Sequence, residues 1–107
     1  MALSELRTLE AQDLLRHCLA EQGKVHWGPH FLKALADEGL TFPDAWHVLR
    51  TGRIYERAEL DIKTGEHKYK VEGYIPTGGW LAIIFCFKEV DRAFLITIFS
   101  IESRRKT

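Results

Sequence analysis

The spacing of hydrophobic positions changes once along the chain, near residue 52. From Ser4 to Gln22, Ala11, Leu14, Leu15, Cys18 and Leu19 recur at helical intervals, which predicts an amphipathic helix with Ser4 as N-cap and Gly23 as stop. A short stretch, Lys24 to Trp27, leads into Gly28-Pro29. Proline in a first turn predicts a second helix that runs to Glu38 and ends at Gly39. Thr41, ahead of Pro43 and Asp44, can accept hydrogen bonds from the free amides of a third helix, Pro43 to Arg50, which buries Ala45, Val48 and Leu49. Thr51-Gly52 closes that helix.

Beyond Gly52 the period is two. Strands are predicted at Arg53 to Ile62, His67 to Ile75, Trp80 to Lys88 and Ala93 to Ile101, and the short polar or Gly-containing loops between them imply antiparallel hairpins. The expected fold is α+β, three helices followed by a four-stranded antiparallel sheet. In the last two strands Leu81, Ile83, Phe85 and Phe87 alternate with Trp80, Ala82, Ile84 and Cys86, so both faces are apolar. Such strands lie centrally and are covered on both sides. Two helices cover one face, which leaves the other to the first helix, a second copy or another protein.

Composition narrows the class. A chain of 107 residues, 46% hydrophobic and 28% charged, matches a single globular domain and not a disordered tail or a disulfide scaffold. Fifteen basic residues balance fifteen acidic ones, so no overall field draws the molecule to nucleic acid or membrane, and any contact with RNA must be local. No apolar run approaches the ~20 residues that span a bilayer, and the amino terminus lacks an export-type apolar core. Cys18 and Cys86 are placed like reduced core cysteines. The expectation is a cytoplasmic protein without a membrane partner.

Three features suggest chemistry. His30 falls in the first turn of the second helix, where the helix dipole disfavours the imidazolium and keeps the ring available as a base; the alternative is a helix-start histidine with local hydrogen bonds. Glu56 interrupts the apolar alternation of Ile54 and Ala58, which marks either a functional carboxylate or a strand bulge. Lys68, Lys70 and Tyr74 share the open face of their strand, beside Arg53, Tyr55 and Arg57 of the preceding one. Cations hold phosphates and rings stack on unpaired bases, so this patch fits single-stranded RNA, although a solvated strand face is also Lys-rich for solubility. No metal-ligand spacing, phosphate loop or serine-hydrolase elbow is found, since Gly28 and Pro29 break helical geometry between His26 and His30. No cofactor is expected.

The runs His30-Phe31-Leu32-Lys33-Ala34-Leu35, Glu38-Gly39-Leu40, Ala45 to Glu56, Tyr69-Lys70-Val71-Glu72-Gly73-Tyr74 and Ile96-Thr97-Ile98-Phe99 resemble small bacterial proteins of domain-of-unknown-function family 4258, within the RelE/ParE-like toxin superfamily. The resemblance spans His30 to Phe99, about two thirds of the chain. It implies a RelE-like core at residues 24–101 of a single domain 1–107, with the first helix, to Gln22, outside it. It also implies a toxin-like endoribonuclease that cuts RNA without metal, on or off the ribosome, and is neutralised by an antitoxin-like protein. On that analogy His30 is a general base or acid, Glu56 a second proton-transfer group, and Arg53 or Lys70 a stabiliser of the charged phosphorane, with Tyr69 and Thr97 as further candidates. Tyr55, Arg57, Lys68 and Tyr74 would hold the RNA. The alternative within the same fold is a non-catalytic interaction module that dimerises or binds a partner through its apolar sheet face.

Overall fold

A computed structural model describes residues 3–101. Its elements run α1 (Thr8–Ala20), β1 (Val25–Trp27), α2 (Pro29–Asp37), α3 (Phe42–Thr51), β2 (Arg53–Ile54), β3 (Glu59–Leu60), β4 (His67–Tyr74), β5 (Trp80–Glu89) and β6 (Arg92–Ile101). The sheet has the order β1-β6-β5-β4-β2, and β3 pairs with β4 beyond β2.

Two expectations about the sheet are corrected. It is six-stranded and mixed, not four-stranded and antiparallel, because Val25–Trp27 lies parallel to β6 in the register Val25↔Ala93, His26↔Phe94, Trp27↔Leu95. A three-residue strand is too short to show a period of its own. The expected strand Arg53 to Ile62 is broken into β2 and β3, with residues 55–58 out of the ladder, and Leu60 and Ile62 are exposed and not turned to the core. The first helix also starts later than Ser4. Residues 3–7 are not helical, and the Leu6 N–H donates to the Tyr69 hydroxyl at 2.9 Å, so Leu3 and Leu6 reach the core without helical backbone. Glu10 then closes the start of α1 by accepting from the Arg7 N–H at 3.0 Å.

Other local signals act as the sequence indicates. Thr41 caps α3, with its hydroxyl accepting from the Asp44 N–H and the Asp44 carboxylate accepting from the Thr41 N–H, two otherwise orphaned donors satisfied reciprocally. Pro29 opens α2.

All three helices lie on one face of the sheet. Ala11, Leu15 and Cys18 of α1 share a single buried cluster with Phe31 and Leu35 of α2, Val48 and Leu49 of α3, and Tyr69, Val71, Leu81, Ile83, Phe85, Leu95 and Ile98 of the sheet. Those strand residues stand opposite one another across the ladder, as Tyr69↔Phe85↔Leu95 and Val71↔Ile83↔Ile98, and so point to one side, a register shift in β6 keeping Leu95 and Ile98 together. The first helix therefore does not cover the second face. It seals the β2 edge instead: the Gln12 side-chain oxygen accepts from the Ile54 N–H at 2.9 Å, and Arg16 donates to the carbonyls of Arg50 and Gly52.

Candidate functional site

The face opposite the helices is the open one. It carries Lys68, Lys70, Glu72 and Tyr74 from β4, Trp80, Ala82, Ile84 and Cys86 from β5, and Phe94, Thr97 and Phe99 from β6. Arg53 joins them, because it stands directly opposite Glu72 in the β2–β4 register and cross-strand partners share a face.

Glu72 is the centre of this surface. It is only 1% exposed although no helix among the described residues covers it, and its carboxylate accepts from the Trp80 Nε1–H at 3.2 Å and lies 3.5 Å from Lys70 Nζ. Its cross-strand neighbour on β5 is Ala82, whose small side chain leaves room for the carboxylate to lie down against the sheet. Lys70 sits between two acids, with Nζ also 3.4 Å from Glu56 Oε1. Glu56 occupies the bend between β2 and β3, so the interruption of the strand is what brings it over β4. Tyr74 packs its ring 6.3 Å from that of Trp80.

Beside this group lies a cleft of ≈ 500 Å³ bounded by Glu56, Ala58, Lys68, Lys70, Ile84 and Phe99. Lys68 is paired with Asp61 at 3.1 Å, and at the far end of the face Lys88 is paired with Glu66 at 2.7 Å. Cys86 donates its S–H towards Glu66 at 3.9 Å, and burial pushes its thiol pKa up. On this face Lys68, Lys70 and Lys88 each have a carboxylate within 4 Å.

The residues expected from the sequence fall into two groups. Arg53, Glu56, Lys68, Lys70, Tyr74 and Thr97 are on or beside the open face. Tyr55 is exposed just after β2, and Arg57 is turned to the amino-terminal segment, where it makes two hydrogen bonds to Glu5 at 2.8 and 3.1 Å. Tyr69 points to the helical side, where it is 2% exposed and stacks on Phe85, and burial raises its phenol pKa. His30 is exposed in the first turn of α2, a helix packed on β6 and β1.

The structure therefore does not bring His30 to Glu56. They stand on opposite sides of the sheet, and from β6 to β2 is three strand spacings, about 14 Å at ~4.8 Å each. Glu72 was not singled out by sequence reasoning, because in an alternating strand it reads as one more solvated side chain. The signal available was its neighbour: a carboxylate flanked by Lys70 and facing an all-apolar strand needs specific partners.

No family model matches the chain, and no curated protein or solved structure shows significant similarity to it. Among the described residues no helix is long and apolar enough to cross a membrane.

Proposed function

We propose that this chain is a non-catalytic interaction module that associates with a second copy of itself through the open face of its sheet. The observation that carries this reading is the pairing of Lys68, Lys70 and Lys88 with neighbouring carboxylates around a strip of partly exposed apolar side chains, Ile84, Phe94 and Phe99, that no helix among the described residues covers. Lysines that are already paired offer a phosphate backbone little attraction, whereas apolar side chains within a rim of matched charges are the composition of a protein interface. A face that carries both signs of charge can complement a copy of itself about a two-fold axis. Cys18 and Cys86 are free, buried and on opposite sides of the sheet, which supports a reducing, cytoplasmic setting.

Sedimentation equilibrium of the full chain tests this. The expected result is a dimer that Ile84→Lys and Phe99→Glu dissociate with the circular dichroism unchanged. A wild-type chain that stays monomeric at every concentration would remove the reading.

One arrangement favours a second reading, the toxin-like endoribonuclease: Lys70 lies between Glu56 and Glu72 beside a cleft, with Arg53 on the same face. Here Glu56 takes the 2′-OH proton, the freed oxygen attacks phosphorus in line, Arg53 and Lys70 hold the charge on the phosphorane, and the departing 5′ oxygen takes its proton from water. RNA would be the substrate, and an antitoxin-like protein would cover the same face. Induced expression in bacteria separates the two readings. Growth arrest with RNA cleavage that Lys70→Ala abolishes and His30→Ala leaves intact supports the nuclease, while normal growth and intact RNA exclude it.

A further inference from the structure

The other end of the molecule, on the β1 edge, holds a second arrangement that the open face does not use. Trp27 ends the edge strand β1 and is 37% exposed, and Trp46 lies half-buried on α3. Their ring centroids are 5.7 Å apart and their planes meet at 82°, which makes a corner of two aromatic walls. Phe42 braces both, with centroids 5.0 Å from Trp27 and 5.7 Å from Trp46, so the corner is held by packing. Against it lies a cleft of ≈ 250 Å³, completed by Leu19, Glu21, Gln22 and Val25.

The charge at this cleft is negative. Glu21 contributes a half-exposed carboxylate, and it is also the C-cap residue of α1, where the carbonyl end of the helix dipole adds to the same sign. His17, one turn earlier, is 3.4 Å from Glu21. Lys24 is the nearby cation, and its ammonium is paired with Asp91 at 2.9 Å. Indole faces carry negative potential and attract cations whose charge is spread over methyl groups, because such ions give up little hydration to enter.

We infer that the Trp27–Trp46 corner with Glu21 is a binding site for a methylated ammonium group. The same chemistry is offered by a free small molecule such as choline and by a trimethylated lysine side chain, and the site recognises the shared head.

The test is a titration of the full chain with choline, followed by the indole N–H resonances in a nitrogen-15 NMR spectrum. The Trp27 and Trp46 signals are expected to shift saturably while that of Trp80, on the other side of the sheet, stays in place. Glu21→Gln, an exposed change that leaves the fold intact, is expected to weaken binding about threefold or more, and Trp27→Ala at least tenfold. The neutral tert-butyl analogue of choline, equal in shape and without charge, is expected to bind at least tenfold more weakly. A short peptide carrying trimethyllysine is titrated in parallel, and the tighter of the two ligands identifies the natural source. Equal binding of the neutral analogue, shifts that do not saturate, or unchanged affinity in Glu21→Gln together with unchanged affinity in Trp27→Ala would overturn the assignment.

Discussion

Gly52 and Gly73 touch backbone to backbone: a Cβ placed on Gly73 would stand 3.1 Å from the Gly52 Cα. This contact lets the end of α3 turn directly into β2 and lie against β4, and it sets where Arg53 meets Glu72. The requirement for glycine is steric. Gly52 has an ordinary φ of −76°, yet a Cβ there would meet the Glu72 carbonyl oxygen at 2.5 Å and that of Val48 at 2.6 Å.

Gly52→Ala is therefore expected to destabilise the protein by about 3 kcal/mol, since neither carbonyl can yield without disturbing a helix end or a ladder. Gly28→Ala, whose Cβ would make an ordinary 3.5 Å contact with Phe94, is expected to cost under about 1 kcal/mol. Urea unfolding of the two variants measures the difference.

Gln12→Ala removes the side-chain oxygen that accepts from the buried Ile54 N–H. An amide left without a partner costs about 2 kcal/mol. Faster hydrogen exchange confined to Ile54 and its neighbours would locate the loss at the β2 edge.

Glu72→Ala opens a buried charge pair and strands the Trp80 N–H, for an expected loss of about 3 kcal/mol. Glu72→Gln keeps an acceptor for Trp80 and is expected to cost less. Equal unfolding midpoints for the two variants would show that the Trp80 bond adds nothing.

Burial raises the Cys18 thiol pKa from 9.0 to about 11. The folded state therefore holds this proton more tightly than the unfolded state. The resulting stability is fully present below pH 9 and is lost as pH rises through about 11. Cys18→Ala is expected to flatten that part of the pH dependence, as followed by urea midpoints between those limits.

Much of the helical half was legible in the sequence, because its signals are local. Thr41 with Asp44, Pro29 and the Thr51-Gly52 stop each act within a turn of where they stand. The amino terminus misled for the opposite reason: Leu3 and Leu6 continue a helical spacing but reach the core from non-helical backbone held by Tyr69. The long strands were also legible from alternation, whereas β1 was not, since only β6, far along the chain, makes a strand of Val25–Trp27. In the site, the shared face of Lys68, Lys70 and Tyr74 follows from period two. The convergence of Glu56 on Lys70 depends on the break at residues 55–58, and the separation of His30 from Glu56 depends on which strand each helix covers. No local pattern carries either fact.

The place of β6 between β1 and β5 bears on how the protein folds. The segment Arg92–Ile101 supplies the partner for a strand near residue 26 and the floor on which α2 packs. Until it emerges during synthesis, β1 has no ladder to join and α2 has no surface to bury Phe31 against. The β4–β5 hairpin can form early from neighbouring residues, but closing the β1–β6 pair must gather nearly seventy residues at once. Acquisition of the native state should thus be a late and largely concerted event, with its slowest step at the parallel pair.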